Sequence, residues 1–200
     1  MYAHYVALGD SITDNRTPYT SKWYHDWLNE WWQPQKTTIL GTAGSTVALG
    51  HDSMAKRCQQ IPADCDILTI YAGINDFGRN QALGHFGDET VETFYGALEQ
   101  LFMKCMSAHP DMTIYFISHV HIGTDFFPQK NNFGLLQLDY EEAICRMTQN
   151  FGIPHLSLYH NAGFNFFIPT LAEKYSYDTL HPNDLGHYKI AQKIHSYINS

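Results

Sequence analysis

Five short apolar runs are spaced along the chain, and each predicts a buried β-strand. They cover residues 5–8, 36–40, 65–73, 112–118 and 153–159. Several are apolar at nearly every position, as strands buried on both faces of a sheet are. This pattern favours a parallel sheet that is covered by helices on both sides.

Amphipathic segments between these runs predict helices. They cover residues 18–32, 52–60, 91–105, 135–151 and 185–199. The clearest is 91–105, where apolar residues recur at steps of three and four. Aromatic residues at four-residue spacing in 18–32 indicate core packing. The alternation of strands and helices predicts one doubly wound α/β domain over residues 1–200, with its sites at the carboxyl ends of the strands.

The amino-acid composition mainly excludes classes of protein. Hydrophobic residues make up 44% and charged residues 16% of the 200 positions, as in a globular chain with a sizeable core. The net charge of −8, without a basic cluster, argues against nucleic acid and anionic membranes as partners. No leader precedes the first strand and no apolar run approaches the ~18 residues of a membrane span. We therefore expect a cytoplasmic protein with no membrane span.

Neither the cysteines nor the histidines predict a metal site. The four cysteines, Cys58, Cys65, Cys105 and Cys145, are scattered without zinc-site spacing. We expect all four to be free thiols and three of the four to lie in the core. His119 and His121 follow the fourth strand two residues apart, so both side chains could face one ion. Zinc sites need three or four ligands, however, and no carboxylate-rich motif accompanies this pair.

The first candidate for chemistry is Ser11, in the stretch "GDSIT" directly after the first strand. Ser and Asp beside Gly are most often turn residues. A serine at the carboxyl end of a parallel strand also stands where sites form. Ser11 is therefore either a turn residue or a nucleophile, and partners elsewhere in the chain must decide between the two.

The second candidate is the pair Asp178 and His181 in "DTLHP", just before the last helix. Residues three apart can share one turn, so the carboxylate can accept the imidazole N–H and leave the other ring nitrogen free as a base. Pro182 restricts the backbone of His181 to extended conformations. The alternative is a helix-capping loop that happens to contain a histidine.

Two further loops could supply hydrogen-bond donors for an oxyanion. Asn75 in "GIND" follows the third strand, although an Asx turn is a common alternative there. The loop "GTAGSTVALG" contains Gly44, whose backbone N–H can approach a substrate oxygen. A hydroxyl, an Asp-oriented His, a side-chain amide and backbone N–H groups are what acyl transfer needs. In such a site the N–H groups of Ser11 and Gly44 and the Asn75 amide would hold the oxyanion.

Together the blocks "GDSIT", "GTAGST", "GIND" and "DTLHP" resemble those of the SGNH hydrolases, also called the GDSL esterase/lipase family. The resemblance covers essentially the whole chain. It implies a flavodoxin-like, three-layer α/β/α fold with a five-stranded parallel sheet, and ester hydrolysis without a cofactor. It also implies a triad of Ser11, Asp178 and His181, with Gly44 and Asn75 completing the oxyanion hole.

One position departs from the family's pattern. The glycine block often begins with an Asn five residues before the glycine, and Ile39 stands there in this chain. Gly41 therefore stays open as an alternative to Gly44. The G-x-S-x-G motif of the α/β hydrolases does not occur in the sequence.

Two aromatic loops, 125–133 and 163–177, follow the fourth and fifth strands. Their side chains either line an acyl or aryl pocket or cover the edge of the sheet: Phe126, Phe127, Phe164, Phe166, Phe167 and Tyr175. The sequence thus predicts a serine esterase for small carboxylic esters with short-to-medium acyl or aryl groups. The alternatives are a carbohydrate O-acetyl esterase, an acyltransferase with the same site, and a non-catalytic ligand-binding module. The sequence predicts no oligomeric state.

Overall fold

The computed structural model describes residues 2–200 and contains a five-stranded sheet in the order β2-β1-β3-β4-β5. Every neighbouring pair of strands is parallel. The strands are β1 (His4–Gly9), β2 (Lys36–Gly41), β3 (Ile67–Tyr71), β4 (Thr113–Ser118) and β5 (His155–Ser157). The prediction of a five-stranded parallel sheet is confirmed.

Helices connect the strands and follow the last of them. They are α1 (Tyr24–Trp32), α2 (Met54–Arg57), α3 (Ile74–Gly78), α4 (Phe94–Ala108), α5 (Gln137–Phe151), α6 (Leu158–Asn161), α7 (Pro169–Tyr175) and α8 (Asp184–Ile198). A 3₁₀ turn, Cys58–Gln60, follows α2.

Two hydrophobic clusters separate the molecule into three layers. Successive strand residues point to opposite faces, so Val6 and Leu8 of β1 join one cluster while Tyr5 and Ala7 join the other. The first cluster contains apolar residues of α2, α4 and α5, and the second contains those of α1 and α8. The sheet is therefore covered on both faces, and the three-layer α/β/α fold is confirmed.

Helix α1 begins at Tyr24, so the prediction of a helix over 18–32 is wrong for residues 18–23. This segment instead bonds to the first residue of α8. The backbone N–H and the hydroxyl of Ser21 donate to the Asp184 carboxylate at 2.7 Å each, and the Thr20 hydroxyl donates to it as well. A long-range contact thus overrides the helical pattern. Within α1, Tyr24, Leu28 and Trp32 are buried in the core, whereas the aromatic stripe of Trp23, Trp27 and Trp31 is only partly buried.

Three other predicted elements differ from the structure. The predicted helix 52–60 divides into α2 and the 3₁₀ turn. The predicted strand 153–159 keeps only three residues as β5, because the Ser157 hydroxyl accepts the His160 N–H and begins α6. The aromatic segment 163–177 contains α7, which has Pro169 in its first turn.

The four cysteines are free, and Cys58, Cys65 and Cys105 are buried, as predicted. Among residues 2–200, no helix combines the length and the hydropathy that crossing a membrane requires.

Candidate active site

Ser11 lies in a turn at the carboxyl end of β1, and a buried carboxylate holds this turn. Asp10 Oδ1 accepts the Ile12 N–H at 3.0 Å, and the Asp10 carbonyl accepts the N–H groups of Thr13 and Asp14. His119, the residue that follows β4, donates its Nε2–H to Asp10 Oδ2 at a distance of 2.8 Å. The turn is therefore supported from two strands.

The Ser11 hydroxyl meets His181 across a sequence separation of 170 residues. The Ser11 Oγ to His181 Nε2 distance is 3.0 Å, and His181 Nδ1 lies 2.7 Å from Asp178 Oδ2. A carboxylate can only accept, so Nδ1 carries the proton and Nε2 is left to accept the Ser11 O–H. The three side chains form one hydrogen-bonded series.

Asp178 has a lowered pKa. Burial acts to raise the pKa of this carboxyl, but hydrogen bonds from the ring and backbone of His181 and from the Leu180 N–H outweigh burial. These backbone bonds measure 2.7 Å for His181 and 3.2 Å for Leu180. Asp178 is therefore ionised at neutral pH, in the form that accepts the imidazole proton.

Tyr19 packs flat on His181, a contact that the sequence analysis missed. Its ring centroid lies 3.7 Å from that of the imidazole, with 13° between the planes. Residues 18–23 are held against α8 by Asp184, and the Tyr24 N–H donates to His187 Nδ1 at 3.1 Å. These bonds join the segment that carries Tyr19 to the helix that follows His181. No local sequence signal indicates a contact between positions so far apart.

The glycine loop, residues 42–50, is held beside the Ser11 turn by side chains from neighbouring elements. Asp14 Oδ2 accepts the Ala43 N–H at 3.0 Å, and the Asp76 carboxylate accepts the N–H groups of Val47 and Ala48 at 2.8 Å each. Burial raises the pKa of Asp76 to about 7, although these N–H donors act to lower it. The carboxyl group of Asp76 is thus buried, and each of its two oxygens accepts a hydrogen bond from the glycine loop. The sequence analysis did not single it out.

Asn75 lies in the first turn of α3 rather than in a loop. Gly73 makes the sharp entry to this helix at φ +114, a conformation that other residues rarely adopt. Asn75 Nδ2 donates to the Ser45 carbonyl at 3.1 Å, which fixes the orientation of the amide. Among residues 2–200, the second N–H of this amide donates to no protein acceptor. The side chain therefore connects α3 to the glycine loop.

The two glycine candidates differ in their surroundings. A Cβ on Gly41 would lie 2.3 Å from the backbone nitrogen of Asp14, so this glycine permits close packing between β2 and the turn after Ser11. Gly44 lies within the loop at φ +77. In the described part of the chain, the N–H groups of Gly44 and Ser11 donate to no protein acceptor.

The six aromatic candidates divide into two groups. Phe126, Phe166 and Phe167 line an open cavity of about 730 Å³ next to Asp178. Phe166 also belongs to the second hydrophobic cluster, and the other three candidates pack in or against the two clusters, Phe164 buried and Phe127 and Tyr175 partly buried. Phe164 and Tyr175 contact each other in the second hydrophobic cluster, the one that contains α1 and α8, with ring centroids 5.1 Å apart. Phe127 packs against Gly78 and edge-on to Phe77.

His119 and His121 have separate environments. His119 bonds to Asp10, whereas the His121 ring stacks on Phe167 with centroids 5.0 Å apart. Within residues 2–200, no group of three or more His, Cys, Asp or Glu side chains is arranged to hold a metal ion.

The chain belongs to the GDSL-like lipase/acylhydrolase family, whose model matches residues 7–189. This membership places the chain among hydrolases. A solved protein from Lactobacillus plantarum is 44% identical, with a TM-score of 0.96 over 99% of this chain and 97% of that one. No curated protein matches the chain significantly in sequence.

Two more distant structures share the fold alone. A variant of an acetyl-xylooligosaccharide esterase from Geobacillus is 18% identical, with a TM-score of 0.69 over 99% of this chain and 94% of that one. Phospholipase A1 from Streptomyces albidoflavus is 14% identical, with a TM-score of 0.68 over 98% of this chain and 100% of that one.

Proposed function

We propose that the protein is a serine ester hydrolase that cleaves small carboxylic esters through an acyl-enzyme. The observation that carries this proposal is the hydrogen-bonded series Ser11–His181–Asp178, with distances of 3.0 and 2.7 Å. Membership in the GDSL-like lipase/acylhydrolase family supports it. We also propose that residues 1–200 form one domain, because one sheet carries both hydrophobic clusters. The cytoplasmic location stays a prediction.

In the proposed reaction, His181 Nε2 takes the hydroxyl proton as Ser11 Oγ attacks the ester carbonyl carbon. Asp178 stabilises the imidazolium that forms. The tetrahedral intermediate collapses to the acyl-enzyme, and His181 returns the proton to the departing alcohol. A water molecule then attacks the acyl group with His181 again as base, which releases the acid and restores Ser11.

The oxyanion of this reaction is stabilised by the N–H groups of Ser11 and Gly44 and by the Asn75 amide. Three observations support this assignment. Both backbone N–H groups lack protein acceptors in the described part of the chain. The Asn75 amide is oriented by Ser45. Gly41, in contrast, packs against the backbone of the Ser11 turn, which favours Gly44 as the glycine of the oxyanion hole.

Deacetylation of carbohydrates is the second candidate function. The exposed rings of Phe126 and Phe167 beside Asp178 could stack on a sugar, and an esterase acting on acetylated xylo-oligosaccharides shares the fold. Transfer of the acyl group to an alcohol would use the same acyl-enzyme. A non-catalytic binding module would not need the oriented His181.

Covalent labelling tests the proposed nucleophile directly. A fluorophosphonate reacts with a serine only when a neighbouring base activates it, so we expect one adduct per chain, on Ser11. Peptide mapping by mass spectrometry locates the adduct. The His181→Ala protein keeps Ser11 but should lose labelling. An adduct on another serine, or equal labelling of both proteins, contradicts the proposal.

Asn75→Ala should lower kcat by roughly 10²–10³-fold with a smaller change in KM, because one oxyanion donor is removed. Steady-state kinetics on p-nitrophenyl acetate measures both constants. The matched control is Asn150→Ala, at an exposed position on α5. Since Asn75 also bonds to Ser45, melting temperatures are compared. An unchanged kcat would remove Asn75 from the oxyanion hole.

A further inference from the structure

The cavity beside Asp178 is large enough for a substrate group. Its volume is about 730 Å³, within the range of ligand sites in enzymes. It opens between the loop 123–126 after β4 and the segments 166–173 and 176–179. None of the glycine loop, Asn75 or Ser11 lines it.

The walls of this cavity combine exposed aromatic rings with charge of one sign. Phe126, Phe167 and Tyr177 are 47%, 48% and 65% exposed. Asp125 and Glu173 stand among them at exposed positions, whereas the described residues that line the cavity include no Lys, Arg or His. Asp178 also lines the cavity, but its carboxylate is committed to His181. A cation meets favourable groups on several sides here, and an anion meets repulsion.

The cavity adjoins Asp178 and the ring of His181 in the hydrogen-bonded series Ser11–His181–Asp178. Phe126 meets the edge of the His181 ring, with centroids 5.2 Å apart. Tyr177 contacts Tyr19, whose ring covers the face of the same imidazole. In the proposed reaction His181 Nε2, which faces Ser11, gives its proton to the departing oxygen, so the alcohol part of the substrate leaves beside this imidazole. Phe126 both contacts the imidazole and lines the cavity, and it therefore connects the two. The acyl oxygen would lie at the proposed oxyanion donors, none of which lines the cavity.

We propose that this cavity binds the alcohol part of the ester and selects alcohols that carry a positive charge, such as a quaternary ammonium group. The inference rests on the proposed function. The exposed rings attract the cation through their quadrupoles; His121 covers one face of Phe167, so Phe126 and Tyr177 carry most of this attraction. The carboxylates of Asp125 and Glu173 attract the charge of the cation. The subsite adds no chemical step; it raises kcat/KM for esters whose alcohol complements the charge of the cavity.

Two acetate esters of nearly equal shape test this selectivity. Acetylcholine carries the charge, and 3,3-dimethylbutyl acetate replaces its nitrogen by carbon. We expect kcat/KM to be roughly 10-fold higher for acetylcholine in dilute buffer, given the strength of partly exposed cation–π and charge pairs. Added salt should reduce the ratio, because it screens exposed charges.

Variants connect the preference to the cavity. Asp125→Asn combined with Glu173→Gln should lower the acetylcholine-to-isostere ratio by roughly threefold or more. The control is Asp111→Asn combined with Glu92→Gln, which makes the same charge change at exposed positions outside the cavity and should leave the ratio unchanged. A ratio near one in the unsubstituted protein, or a preference that survives the cavity variant, overturns the inference.

Hydrolysis of p-nitrophenyl acetate separates the two proposals. Turnover that depends on Ser11 but shows no preference between the charged and neutral esters would overturn the subsite and leave the esterase standing. Failure to cleave any of the three esters would overturn both.

Discussion

Replacing Ser11 by alanine is expected to lower kcat for p-nitrophenyl acetate by about 10⁶-fold, to the rate left by binding and the oxyanion donors alone. The variant cannot form the acyl-enzyme. The Ser11 hydroxyl bonds to His181 Nε2 and not to a group that holds the core. We therefore expect the Ser11→Ala protein to keep its fold. The measurement is steady-state hydrolysis together with a melting curve.

The matched control is Ser107→Ala, at an exposed position on α4, which should keep full activity. Turnover by the Ser11→Ala protein close to that of the unsubstituted protein would show that another group is the nucleophile. A folded and inactive variant supports the assignment.

Asp178→Asn is expected to lower kcat by up to ~10⁴-fold. An amide NH₂ facing His181 Nδ1 would donate to that nitrogen and place the imidazole proton on Nε2. In this tautomer Nε2 cannot accept the Ser11 O–H. The amide oxygen can still accept the backbone N–H groups of His181 and Leu180, so the loss should fall on catalysis rather than on folding.

The nitrogen-15 shifts of the labelled imidazole report which ring nitrogen carries the proton. They should show a proton on Nδ1 in the unsubstituted protein and on Nε2 in Asp178→Asn. A fall in kcat of less than tenfold with an unchanged tautomer would mean that Asp178 only caps its own turn.

The architecture could be predicted because its signals are local. Apolar runs without alternation indicate buried parallel strands, and the carboxyl ends of such strands meet at one edge. The spacing of Asp178 and His181 likewise allows a contact within one turn, and the structure contains that hydrogen bond. These inferences need only short windows of sequence.

The remaining features depend on contacts between distant segments. Residues 18–23 have a helical pattern in the sequence, but Ser21 instead donates two hydrogen bonds to Asp184, a residue far along the chain. Because this segment is not helical, Tyr19 packs on His181. The division of the aromatic residues is similar. Phe126 and Phe164 both lie in loops rich in Phe, but Phe164 packs with residues of α7 and α8 in the second cluster, whereas Phe126 is exposed.

The sequence separation of 170 residues between Ser11 and His181, its hydrogen-bond partner, has a consequence for protein synthesis. At roughly 5–20 residues per second, a ribosome makes Ser11 on the order of ten seconds or more before it makes His181. The α8 residues that hold the Tyr19 segment emerge later still. If the proposed function holds, a nascent chain carries Ser11 without a base, and the polypeptide gains reactivity towards esters only after residues 178–187 have left the ribosome and packed against the turn of Ser11.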